Sequence, residues 1–199
     1  MTGIFVVVLI GVVGVVFVLN MTSVNPPYLS VEEELMPAAK ALNMLGDRQS
    51  GAGYSFLLPD TFVPADPPSA DGLPLGTRSF AWAAAEDSDD RGSELRLWVM
   101  PDELDLSDAL ARMDTTGSRL GYHSDVVNKS SYRRIGSRYV AVRGLLDAST
   151  SRSTRKGVLY LLVDGDRTIM VIGMGVGQNT KAVQYMLDHA VRTIRRDNG

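Results

Sequence analysis

No cysteine occurs among the 199 residues, and histidine occurs only twice, at His123 and His189. Without thiols the chain can build neither a disulfide framework nor a zinc–thiolate centre, and it offers no sulfur to acylate. The two imidazoles have no third ligand at metal spacing, and no Gly-x-Ser-x-Gly elbow presents a nucleophile. No cofactor or metal is expected on these grounds. Basic residues are also missing from the start of the chain, the first being Lys40. That gap removes the charged n-region of a secretory signal and leaves the positive-inside rule almost nothing to count.

What the start of the chain holds is an apolar run from Ile4 to Leu19 with no charged residue in it. From Gly3 to Met21 it amounts to about 19 residues; at a rise of about 1.5 Å each, such a helix just spans a hydrocarbon core about 30 Å thick. A buried core helix would carry a polar stripe, and this run has none. A cleaved signal would place small residues after the apolar part, where Phe17-Val18-Leu19-Asn20-Met21 is bulky. The run therefore predicts a retained, single-pass transmembrane anchor over residues 1–24, with Ile4, Phe5, Val8, Gly11, Gly14, Phe17 and Leu19 in the bilayer. Gly11 and Gly14 give the helix one smooth side, of the kind a second transmembrane helix approaches. Glu32-Glu33-Glu34 follow on the far side, so the N-terminus is expected in the cytoplasm and the remainder outside it, in a bacterial periplasm.

Charge is unevenly spread. Residues 1–110 hold 5 basic and 16 acidic groups, and 111–199 hold 15 basic and 7 acidic, giving −11 and +8 and the overall −3. Halves of one domain interleave in space, so two complementary surfaces are expected; the alternative is a basic face for an acidic partner or for lipid headgroups.

Residues 25–52 read as a juxtamembrane helix and linker. Asn25-Pro26-Pro27 is a stiff break, Ser30-Val31-Glu32-Glu33 resembles a capping box, and Leu35, Ala39, Leu42 and Leu45 recur at helical spacing with Pro37 as a kink. Gly46 to Gly53 reads as a polar linker. Beyond it, strands are predicted at 54–58, 80–85, 94–100, 126–132, 139–146, 158–163 and 168–174, with helices near 105–120 and from 179 or 180 to about 194. Pro59 to Thr77 reads as a long loop studded with Phe62, Val63, Leu73 and Leu75, which either pin it to the domain or form a contact surface. The segments 157–163 and 168–172 are apolar at nearly every position instead of alternately, so both faces of those strands must be covered. The fold class is α/β in the α+β sense: a mostly antiparallel sheet with helices on both faces, over residues 53–199.

This order of elements resembles the PsbP-like superfamily of α/β/α sandwiches, which includes extrinsic photosystem proteins, a Ran-binding nuclear factor and bacterial envelope proteins. The resemblance rests on Gly53-Tyr54-Ser55-Phe56-Leu57-Leu58-Pro59, on Ile135-Gly136-Ser137-Arg138-Tyr139 with Val140-Ala141-Val142, and on Leu159-Tyr160-Leu161-Leu162-Val163 before a tight turn and a closing helix. It covers about residues 53–196, although the proline-rich loop after Pro59 departs from the simpler pattern. The resemblance implies a binding or accessory role and supplies no catalytic residue.

Three constellations invite chemistry and fail on composition. Gly173-Met174-Gly175-Val176-Gly177 lies between a strand and a helix, but Gln178 occupies the position where a dinucleotide loop needs glycine, and no second parallel strand follows. Glu86 to Gly92 echoes a calcium loop, yet Arg91 and Trp98 stand where oxygen ligands are required. Arg133, Arg134, Arg138 and Arg143, with Arg152, Arg155 and Lys156, form a basic strand pair interleaved with Tyr132 and Tyr139; acidic net charge and a membrane tether argue against nucleic acid and for a solvated sheet edge.

Three functions compete. The first is a membrane-tethered, non-catalytic binding or accessory domain, a structural subunit of a larger membrane assembly, whose partners are the bilayer and proteins in the membrane or envelope. Phe62, Val63, Leu73, Leu75, Arg133, Arg134, Arg138 and Arg155 are its candidate contacts. The second is an envelope carrier of a small molecule or lipid, which a tightly bound ligand in the purified domain would reveal. The third is a hydrolase using His123 or the aspartates, which requires a cleft with perturbed carboxylates.

Overall fold

The structure, a computed structural model, describes residues 33–35, 37–101, 126–135, 138–148, 151–177 and 180–197. All of them belong to one of the chain's two units, Val31–Gly199. Eleven strands and two helices appear among these residues: β1 (Glu33–Leu35), α1 (Ala39–Leu42), β2 (Arg48–Gly51), β3 (Tyr54–Leu57), β4 (Phe62–Ala65), β5 (Arg78–Ala84), β6 (Glu94–Met100), β7 (Val126–Ile135), β8 (Tyr139–Asp147), β9 (Arg155–Asp164), β10 (Arg167–Val176), α2 (Thr180–Val191) and β11 (Arg195–Arg196). No helix among them is long and apolar enough to cross a membrane. The predicted anchor, the helix expected near 105–120 and His123 lie outside the described residues.

The strands form an α+β fold of two sheets. One has the order β1-β7-β8-β9-β10-β6-β5-β4, and the other the order β11-β3-β2. Every pairing is antiparallel except β1 with β7. The central hairpin β9–β10 closes at Arg167↔Asp164 around Gly165-Asp166, the two-residue turn the sequence predicts. Tyr160, Leu161 and Leu162 of β9 and Val171 and Ile172 of β10 are all buried, so both faces are covered as their unbroken apolar runs require.

One core lies between the large sheet, the small sheet and α2. Even-numbered residues of β9 and odd-numbered residues of β10 enter it beside Tyr54 and Phe56 of β3 and Val183, Leu187 and Val191 of α2. At about 1.5–3 kcal/mol per large side chain, this burial outweighs the marginal stability of an isolated 12-residue helix. The second core, on the opposite face, holds Trp98, Leu159, Leu161, Met170 and Ile172, with Ala70 and Leu73 of the proline-rich segment packed against it. Among the described residues one helix layer covers the first face and this segment lies on the second; helices on both faces are not seen.

Four expectations are corrected. The helix predicted between Ser30 and Leu45 is strand β1 followed by the four-residue α1; Pro37 stands between them, and proline disfavours helix both at itself and in the residue before it. The polar linker from Gly46 to Gly53 contains β2, joined to β3 by a two-residue turn in which both Ala52 (φ 53°) and Gly53 (φ 85°) are left-handed. That is the primed hairpin geometry, which alanine rarely signals. The two sheets therefore draw strands from before residue 53, where the domain was expected to begin. The loop from Pro59 to Thr77 contains edge strand β4, which tolerates Pro64 because an edge needs no second set of donors. Finally, β7 is no free edge: β1 lies beyond it, with Glu33 registered opposite Arg133 and Glu34 opposite Arg134. The acidic start of the chain thus meets the basic strand in register.

The closing helix also ends sooner than expected. Arg195 and Arg196 form β11 against Ser55 and Tyr54. Just past the end of α2, Arg48 Nη1 donates to the Thr193 carbonyl at 3.0 Å, a favourable position for a cation.

Candidate functional site

A strap of residues 66–77 crosses the end of the second face. It has little secondary structure, so side chains of the sheet hold it: Trp98 Nε1 donates to the Ser69 carbonyl at 2.9 Å, and Ser79 Oγ donates to the Pro68 carbonyl at 2.8 Å. Between strap and sheet lies a recess of about 470 Å³ lined by Asp66, Asp71, Ala81, Glu94, Arg96 and Trp98. Arg96 pairs with Glu94 at 2.8 Å, so the strap's two aspartates give the recess an acidic rim.

The predicted contact residues divide. Phe62 is 1% exposed and belongs to the first core, so it pins β4 and is no contact residue. Leu73 is half-buried against the second core and likewise pins the strap. Leu75 is 99% exposed and Val63, on the edge strand, 48%; these two present apolar surface to solvent. Arg133 lies in β7, registered between Glu33 of β1 and Ala141 of β8; Arg134 is exposed near the end of the same strand, and Arg155 opens β9 half-buried. Arg138 is drawn into an ion pair described below. The anchor residues Ile4, Phe5, Val8, Gly11, Gly14, Phe17 and Leu19 lie outside the described residues.

The buried charges form two networks that sequence reasoning missed. Asp188 stands on the inward face of α2 and accepts both Nε (2.8 Å) and Nη2 (2.9 Å) of Arg143, the Tyr160 hydroxyl (2.6 Å) and Arg192 Nη2 (2.6 Å). Burial pushes the Asp188 carboxyl up, but the Arg143 hydrogen bonds and charge, with the charge of Arg192, hold it below the usual carboxylate range. The Tyr160 phenol is raised, first by burial and then by the adjacent carboxylate. In the second network Asp164 accepts the Tyr54 hydroxyl at 2.8 Å and Arg138 Nε at 3.0 Å, with Arg196 at 3.7 Å. Tyr54 is pushed up to about 12 by burial and by Asp164. Two signals could have found these groups: a tyrosine midway along an apolar strand, and an aspartate three residues before Val191, on the apolar side of the closing helix.

A general acid or base needs a proton it can release near neutral pH and an open path to substrate. Asp188 is engaged by three side chains and held ionised. His189 is held neutral, its pKa lowered by burial first and by the charge of Arg192, and its Nδ1 accepts the Ala38 backbone N–H at 3.2 Å. The glycine-rich segment is equally structural: a Cβ on Gly173 would lie 2.9 Å from Leu187 Cβ, and one on Gly175 3.1 Å from Val183 Cβ. These glycines let α2 lie close on the sheet. Among the described residues no three acidic or histidine side chains are grouped so as to hold a metal ion.

The fold so assembled is PsbP-like. The solution structure of cyanobacterial PsbP (CyanoP) from Synechocystis sp. PCC 6803 superposes with a TM-score of 0.54 at 13% identity, covering 77% of this chain and 93% of that one. A crystal structure from Bacteroides thetaiotaomicron VPI-5482 matches 78% of this chain and 50% of its own at 13% identity, with a TM-score of 0.43. No protein-family profile and no curated protein matches the sequence.

Proposed function

We propose that this protein is a membrane-tethered, non-catalytic binding domain that serves as an accessory subunit of a larger membrane assembly, with its sheet domain outside the cytoplasm. The observation that carries the reading is the state of the buried ionisable groups: Asp188 and His189 are spent on internal hydrogen bonds, while the strap and edge strand offer Leu75 and Val63 to solvent. The PsbP-like fold supports an accessory role by resemblance, and the apolar run from Ile4 to Leu19 supports the tether. Tethering confines the domain to a thin layer, so contacts too weak to matter in free solution suffice.

The test is purification of the full chain from native membranes in mild detergent. Partner proteins should accompany the wild type and be reduced by Leu75→Asp, a change at a fully exposed position that should alter stability by no more than about 0.5 kcal/mol. A chain that emerges alone in several mild detergents would defeat the proposal. The carrier reading draws on the strap recess, and a stoichiometric small molecule in mass spectra of the purified protein would favour it.

A further inference from the structure

Away from the strap recess, at the end of the sheet where β5 and β10 begin, lies a second cleft of about 420 Å³. Three arginines from three different elements line it: Arg78 at the start of β5, Arg167 at the start of β10 and Arg196 of β11. One carboxylate, Asp197, joins them, so the lining carries a surplus of two positive charges. Among the described residues two of the three guanidiniums make only long ion pairs. Arg196 stands 3.7 Å from Asp164, which Tyr54 and Arg138 already occupy more closely, and Arg167 stands 3.8 Å from the solvent-exposed Asp166. Arg78 makes no ion pair there. Its guanidinium instead lies over Gly53, where a Cβ would come within 3.3 Å of Nη2, so the residue lacking a side chain makes room for it.

A planar fork on each arginine suits an oxyanion that accepts paired hydrogen bonds, and three forks around one cleft suit a tetrahedral group with several charged oxygens. The geometry points to this cleft as a phosphate-binding site, filled by a phosphate monoester on a small molecule or on a lipid headgroup. Pro101 stands in the remaining wall, where the carbon next to the phosphate would pack. The inference does not rest on the accessory-subunit reading, because it concerns a ligand and requires no protein partner.

The experiment is calorimetric titration of the detergent-solubilised full chain with inorganic phosphate, glycerol 3-phosphate, a short-chain phosphatidate below its micelle concentration, and a hexaglutamate peptide. Phosphate and its esters should bind saturably, and more weakly as salt is raised. Arg78→Gln, at an exposed position, should raise the Kd about tenfold or more, the loss of one charge-assisted contact. Arg91→Gln, on the distant β5–β6 hairpin, should leave it unchanged. Phosphatidate binding at least about tenfold tighter than glycerol 3-phosphate identifies a lipid headgroup as the source, and equal affinities identify a free phosphorylated molecule. The site is refuted if no phosphate species binds saturably, if Arg78→Gln and Arg91→Gln behave alike, or if only the acidic peptide binds.

Discussion

Asp188 is the residue on which the sheet and its helix agree. Two guanidiniums and a phenol converge on it, and its side chain keeps only 8% of its exposure. Removing the carboxylate leaves Arg143 and Arg192 facing each other in a confined space. Asp188→Ala should therefore cost about 3–5 kcal/mol, read as a fall in the urea midpoint. A loss below about 1 kcal/mol would mean that water compensates these cations and that the network is peripheral. The pH dependence has a definite sign. Because the native carboxyl is held below its usual value, its contribution is fully present above the unfolded pKa of about 3.9 and is lost as pH falls through the native value. Wild type should thus lose stability below about pH 4 more steeply than Asp188→Asn does.

Two contacts between elements make further predictions. The close seat of α2 on β10 depends on Gly173, and Gly173→Ala should cost about 1–3 kcal/mol by overpacking against Leu187. Pairing it with Leu187→Ala should cost less than the sum of the two single changes, since the cavity admits the new methyl. The second contact is His189, which fastens the segment before α1 by accepting the Ala38 N–H. Its native pKa is lowered, so this contribution is whole above the unfolded value of about 6.5 and declines as pH falls from there. Amide exchange at Ala38, corrected for intrinsic rate, should lose protection between about pH 7 and 5, while the β9 amides stay protected. The sequence told less about such contacts than about strands. The unbroken apolar runs of β9 and β10 announced two covered faces, and the spacing of Val183, Leu187, Ala190 and Val191 announced α2. β1 and β2 stayed hidden because Glu33-Glu34-Leu35 and Arg48-Gln49-Ser50-Gly51 earn their strand character from neighbours, and no local propensity marks them. The basic patch misled in the same way: Arg143 belongs to Asp188 and Arg138 to Asp164, pairings set by tertiary contact alone.

For the molecule as a whole, the proposed tether carries a prediction of its own. The full chain should resist extraction from membranes by alkaline carbonate, and its recovery in the soluble fraction, beginning near Asn25, would overturn the membrane reading. A slower property follows from the way the small sheet is finished. Arg195 pairs with Ser55, two residues 140 positions apart by their numbers, so this sheet stays incomplete until residue 196 has been made. Closures of that span delay folding. Until β11 stitches back onto β3, the edge of β3 that it covers stays open to solvent and to other chains.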